Sequence, residues 1–255
     1  MQTVTLNLDH LEKDPNPTHY SDRLLSLKAL QVAASASVSS ASSSSSSRSS
    51  SPAPSSPTTS LSSLSRTSSP PPSGLPLRLI FLDVDGVLNT ADQRLATSIH
   101  PVCLRNFAEL VLRTDSYIVI SSTWRKHRPF MNKLMTCLKQ HDVDERVIGK
   151  TPQIAPFERP AEIMSWLDVA SRQYGLDVAS WVALDDMPLE EMDRSSMGGR
   201  CVLTTIQAGL CKKHVRMAEE LLHAQEAMIM SPAGKGTGKA SQQARGVLSG
   251  LFAGN

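Results

Sequence analysis

The sequence predicts a three-layer α/β fold, a mostly parallel central sheet with helices on both faces. Three observations carry that prediction. "RLIFLDVDG", from Arg78 to Gly86, is an uninterrupted apolar run delivered straight into two aspartates, and "SWVALDD", ending at Asp185 and Asp186, repeats the theme. Such a run reads as a strand buried on both faces, as in a parallel sheet, whose strand ends are where ligands bind. Between these runs, β-rich segments alternate with segments of helical periodicity, which is the pattern of strand-helix-strand units.

The elements follow in order. Residues 1–33 read as an N-terminal extension in which "YSDRLLSLKALQV" has the spacing of one short amphipathic helix. Residues 34–74 are nearly all Ser, Pro, Ala and Thr, and no acid occurs between Asp22 and Asp83. That composition has too little apolar surface to offset backbone ordering entropy, so a disordered linker is expected. Its serines would also accept phosphate, each adding about −1.5 to −2 charges.

Residues 75–230 form the predicted globular domain, and about 155 residues is ample for one α/β core. After the first strand, "HPVCLRNFAELVLRTD" has Pro101 at a helix start. "SYIVISSTW" is a β-branched second strand, "RPFMNKLMTCLKQHD" a helix, and "RVIGKTP" a short strand broken by Gly149 and Pro152. "ERPAEIMSWLDVASRQYGLD" places Ile163, Trp166, Leu167 and Val169 or Ala170 on one helical face with a glycine at its end. "SWVALDD" and "RCVLTT" are strands, and "GLCKKHVRMAEELLHAQEAM" is a long amphipathic helix. Residues 231–255 read as a flexible basic tail. Its "AGKGTGKAS" lacks the first glycine and the final Ser or Thr of a phosphate-binding loop, having Ala233 and Ala240 there, and no apolar strand precedes it.

No run is long and apolar enough to span a membrane, and the first thirty residues lack the apolar core of a signal peptide. The expected location is intracellular, cytoplasmic or nuclear; the acid-free Ser/Arg stretch is also compatible with organelle import. A net charge of +2 does not imply nucleic-acid binding by itself. The cysteines Cys103, Cys137, Cys201 and Cys211 are scattered with no CxxC pair, which supports reduced thiols over a zinc site or a disulfide framework.

The chemistry gathers at three strand ends. Asp83 and Asp85 stand two apart, and Gly86 lets the backbone leave strict alternation so that both can turn to one ligand. A magnesium ion suits them, being a hard cation that takes oxygen ligands and keeps water and phosphate in its shell. Ser121 ends the second strand, where its hydroxyl and amide can hold a phosphoryl oxygen. Asp185 and Asp186 would complete the metal site, Asp186 either as a ligand or as a partner orienting a neighbour. Arg159, at a helix start, can reach a phosphate with its guanidinium fork.

This set resembles the haloacid dehalogenase-like (HAD) phosphohydrolases: "DVDGVLN" as motif one, the hydroxyl ending "YIVIS" as motif two, and "ALDD" as motif four, in that order. More narrowly, "LDVDGVLN", "VISSTWR", "GKTP" and "ALDD" resemble the capless HAD domains associated with RNA-repair proteins. The resemblance implies a Rossmann-like core with little or no cap. It implies Asp83 as the nucleophile that forms an aspartyl-phosphate, and Asp85 as the acid and base. Magnesium would be held by Asp83, the Asp85 backbone carbonyl and Asp185, with Asp186 beside them. Ser121 and a basic third motif would steady the phosphoryl group. For that basic residue Arg159 is preferred over Lys150, because a guanidinium suits bidentate phosphate contact and Pro160 fits the first helical turn.

Trp124 and Arg125 are candidates for substrate contact, a base stack and a second phosphate, or else pack over the next helix and pair with an acid. A calcium loop fails because Leu88 stands where the loop needs glycine. A nucleotide-sugar glycosyltransferase would leave "ALDD" unexplained. Between Asn89 and Ser116, and between Trp124 and Arg159, no sizeable cap domain fits. An open site favours a large phosphorylated substrate, a nucleic-acid end or a phosphoprotein, over a small metabolite. The competing expectation is an idle HAD fold used for binding, with the Ser-rich segment as its interacting part.

Overall fold

β1 (Leu77–Leu82) is the middle strand of five, in the order β3-β2-β1-β4-β5, where β2 is Tyr117–Ile120, β3 Val147–Lys150, β4 Val178–Asp185 and β5 Cys201–Leu203. The computed structural model describes residues 17–39, 77–91, 98–155 and 158–230. All four strand pairings are parallel, so the sheet is wholly parallel where the sequence predicted mostly so. Leu79, Ile80, Phe81 and Leu82 have no exposed surface, which is why β1 runs apolar from Leu79 to its end instead of alternating.

Parallel neighbours need crossover connections, and the helices supply them on both faces. One face carries α2 (Pro101–Thr114), α3 (Arg128–Lys139) and α7 (Lys212–Met230), packed against Ile80, Leu82, Ile118, Ile120, Val182 and Leu184. The other carries α4 (Arg159–Tyr174), the short α5 (Leu189–Met192) and α6 (Arg194–Met197), and the N-terminal α1 (Pro17–Ser39), against Leu79, Phe81, Val119, Trp181 and Ala183. Phe81 sits between two tryptophans edge-on, with ring centroids 5.7 Å from Trp166 and 5.5 Å from Trp181. The helix ends follow the sequence signals. Pro101 and Pro160 lie in first turns, and Gly175 (φ 60°) closes α4 in the left-handed conformation.

Three features differ from the sequence reading. Gly149 does not break β3 but lies inside it, where a Cβ would stand 2.8 Å from Trp166 Nε1. α5 and α6, four residues each, carry too little periodicity to be read. And α1 packs on the domain: Leu24 and Leu27 are buried in the α4-side core, and α1 extends to Ser39, inside the segment read as linker. The remainder of that linker, residues 40–74, and the tail 231–255 lie outside the described residues. β1 and α2 are separated only by residues 83–100, and β3 and α4 only by residues 151–158, so no cap domain is inserted at either place.

Candidate active site

The strand order reverses between β1 and β4, and the crevice beyond their carboxyl ends is where such sheets bind ligands. Register decides which side chains meet there. Leu82 pairs with Ile120 and Leu184, and Ile120 with Lys150. One residue further on, Asp83 N donates to Leu184 O (3.0 Å), Ser121 N to Leu82 O (2.9 Å) and Thr151 N to Ile120 O (3.0 Å). Thr151, Ser121, Asp83 and Asp185 therefore form one transverse row over four strands. Alternation after Val119, Phe81 and Ala183 turns that row to the α4 face.

Arg159, in the first turn of α4, lies over the row. Its Nη1 is 3.1 Å from Asp185 Oδ2 and 3.5 Å from Asp83 Oδ1. All three side chains are at most 7 % exposed, so these charges meet in a low-dielectric setting where unpaired they would be costly. Asp185 Oδ1 also accepts from Met187 N at 3.0 Å. Burial pushes the Asp83 carboxyl up, against the pull of Arg159 and a Ser122 hydroxyl. Burial, with the Asp83 charge behind it, pushes Asp185 up to about 7, and the same two causes raise Asp186.

Asp85 is held differently. Its Oδ1 accepts from Asn89 Nδ2 (2.7 Å) and from Trp124 Nε1 (3.1 Å). Gly86 N donates to Asn89 Oδ1 (3.0 Å), and Thr204 Oγ1 donates to Gly86 O (2.8 Å), fixing the turn. Gly86 takes φ 69°, and a Cβ there would stand 2.5 Å from Asp186 Oδ2. Only glycine meets both demands.

The hydroxyls of Ser121 and Thr151 are buried without a hydrogen-bond partner among the described residues, which is unusual for buried polar atoms. Lys150 ends β3, half-buried. Arg125 is committed to the protein itself. Its Nε donates to Thr151 O (3.0 Å), its Nη1 to Ser121 O (2.6 Å) and Ser122 O (2.7 Å), its Nη2 to Pro152 O (3.2 Å), and Nη2 pairs with Glu162 Oε1 at 2.7 Å. Trp124 is 3 % exposed, with its ring against Phe130 of α3 at 5.3 Å. Trp124 thus packs over α3 and adds a hydrogen bond to Asp85, and Arg125 pairs with an acid.

The family described as the HAD domain in Swiss Army Knife RNA repair proteins matches residues 79–215, more than half of the chain. The chain belongs to this family. None of the curated proteins and none of the solved structures compared matches it.

In this HAD domain the carboxylates of Asp83, Asp185 and Asp186 each offer an oxygen, all within 4.8 Å of one another. Around a cation with oxygens at about 2.1 Å, neighbouring ligands stand roughly 3 Å apart and opposite ones roughly 4 Å. The group's all-oxygen donor set fits a hard divalent cation, and its spacing stands close to that range. The Asp85 carboxylate stands outside this group, turned to Asn89 and Trp124. Sequence reasoning did not single out Asn89, Ser122, Thr151, Glu162 or Thr204. Asn89 lies within the quoted "DVDGVLN", and Glu162 follows Arg159 by three, the spacing of neighbours on a helix. Thr204 carries no local signal, because only the β4-β5 pairing brings it to Gly86.

Proposed function

We propose that this HAD domain is a magnesium-dependent phosphomonoesterase acting on the end of a nucleic acid through an aspartyl-phosphate. The observation that carries the reading is the gathering of Asp83, Asp185 and Asp186 at the sheet's switch point, with the Arg159 guanidinium against the first two. Asp83 attacks phosphorus along the line of the ester bond. As the P–O bond to the leaving group breaks, Asp85 gives its proton to the departing oxygen. Asp85, now a carboxylate, takes a proton from the water that attacks the acyl phosphate, releasing inorganic phosphate and restoring Asp83. The Asn89 and Trp124 donors to Oδ1 hold the Asp85 carboxyl group in place for both transfers, leaving Oδ2 to carry the proton. Arg159 and the Ser121 hydroxyl face the phosphoryl oxygens, where their charge and donor act most strongly out of water. Magnesium held by Asp83, Asp185 and Asp186 would supply positive charge against nucleophile and phosphate.

The short connections around the site leave it uncapped, which suits a polymer end, and the family's association with RNA repair supports nucleic acid over phosphoprotein as the substrate. The folded unit proposed for this chemistry is residues 75–230 together with α1. The test is hydrolysis of an aryl phosphate by the full chain with magnesium or with chelator, beside Asp83→Asn and Asp85→Asn. The expected result is metal-dependent turnover lost at least 100-fold in both variants, roughly the scale of removing a nucleophile or general acid, and then release of phosphate from oligonucleotide ends in preference to phosphopeptides. Turnover that survives Asp83→Asn removes the nucleophile assignment. A folded chain with no turnover favours the binding role instead.

A further inference from the structure

The proposed chemistry makes no use of a buried acid that stands between two arginines. Glu162, one turn into α4, is 5 % exposed. Its Oε1 lies 2.7 Å from Arg125 Nη2 and its Oε2 lies 3.5 Å from Arg159 Nε. The guanidinium of Arg159 is thus gripped at both edges, Nε by Glu162 and Nη1 by Asp185 and Asp83. Arg125, 5 % exposed in its side chain, ties the turns after β2 and β3 together through the carbonyls of Ser121, Ser122, Thr151 and Pro152. Ser121 and Thr151 are the residues whose buried hydroxyls have no hydrogen-bond partner among the described residues.

We infer that Glu162 is a positioning residue that aims Arg159 at the phosphoryl site and, through Arg125, fixes the strand ends that present the Ser121 and Thr151 hydroxyls to it. The inference rests on the phosphatase reading above. Stability alone does not account for the arrangement, since well-packed apolar side chains of similar volume usually serve a core as well as a buried ionic triad. Apolar side chains cannot hold an arginine fork in one orientation. Two guanidinium groups that share one carboxylate also remain close only while that carboxylate is charged, so its loss lets them separate. The effect should reach the phosphate site through Arg159 and leave the carboxylates of Asp83 and Asp185 in place.

The test is a double-mutant cycle on the full chain with Glu162→Gln and Arg159→Lys. It is read two ways: by kcat and KM on an aryl phosphate with magnesium, and by the rise in melting temperature that inorganic phosphate produces in magnesium buffer. Glu162→Gln is expected to lower kcat/KM by about 10- to 100-fold, the range of coupling between buried partners, and to abolish most of the phosphate-dependent rise. In the Arg159→Lys background the same change should cost several-fold less than in the wild type, because only the route through Arg125 is left for it to act on. Should Glu162→Gln fail to melt cooperatively, Glu162→Asp, with the charge one methylene shorter, goes through the same cycle. Independent, additive losses overturn the positioning role while leaving the phosphatase reading intact. No turnover and no phosphate-dependent rise in the wild type overturns that reading, and this inference with it.

Discussion

At the scale of single residues, the two aspartates of "DVDG" are separated by what they touch and not by distance along the chain. Asp83 faces Arg159 and shares the carboxylate group with Asp185 and Asp186, while Asp85 is tied to Asn89 and Trp124. Two neighbouring carboxylates with different partners are suited to two different tasks. The Trp124 bond can be removed with little change of shape. In Trp124→Phe the ring against Phe130 is kept in kind and the Nε1–H is lost, leaving Asn89 as the one side-chain donor identified on Asp85 Oδ1. A hydrogen bond to a charged group contributes about 1.5–3 kcal/mol, so kcat should fall by roughly 10- to 100-fold while KM changes little. Steady-state kinetics on the aryl phosphate, with a melting curve to confirm the fold, would check this. An unchanged kcat would mean that Asp85 does not depend on the tryptophan for its orientation.

Among whole elements, α1 makes the largest difference between what the chain announces and what it builds. Its contacts with the domain run mostly from side chains to backbone oxygens. Arg23 Nη1 donates to Val147 O (2.6 Å), Lys28 Nζ to Gly175 O (2.5 Å), and Gln31 exchanges two bonds with the Asp177 backbone. Backbone oxygens carry no residue identity, so nothing in "RVIGKTP" or "YGLD" signals that a helix from the chain start will dock there. By contrast, the strands ending at Asp83, Ser121 and Asp185 are legible, because an apolar run that stops at polar residues marks the edge of a core whatever surrounds it. Arg159 is legible through Pro160 and the helix start, whereas Glu162 looks like an ordinary surface acid until its two arginines are in place. Burying Leu24 and Leu27 contributes up to about 4 kcal/mol before the ordering of the helix is counted. Deleting residues 1–39 should therefore lower the melting temperature by several degrees, at about 2–4 °C per kcal/mol for a domain of this size, with metal-dependent hydrolysis retained. Hydrogen exchange on the full chain should find the amides of α1 protected. Equal melting temperatures together with fast exchange would place α1 off the domain in solution.

For the molecule as a whole, the carboxylate group sets an unusual response of stability to pH. Asp185 has its carboxyl pushed up to about 7 from an ordinary 3.8, chiefly by burial and then by Asp83. Without a metal, the folded chain holds this proton between about pH 4 and 7 while the unfolded chain releases it. The native state binds more protons throughout that window, so stability falls as pH rises through it. This is opposite in sign to the paired acid Glu226, whose carboxylate is depressed by its hydrogen bond to Arg78 and whose contribution is lost only as pH falls through its lowered folded value. A divalent cation competes with the proton for the same oxygens and stabilises the charged form that burial disfavours. The stabilisation by magnesium should accordingly be small at pH 5 and grow towards pH 8, as the proton leaves and the carboxylates become available. Calorimetric melts at both pH values, with magnesium and with chelator, separate the two contributions. A larger magnesium effect at pH 8 than at pH 5 is the expected outcome. An equal effect at both would show that the cation does not bind where Asp185 titrates, and would move the metal away from the end of β4.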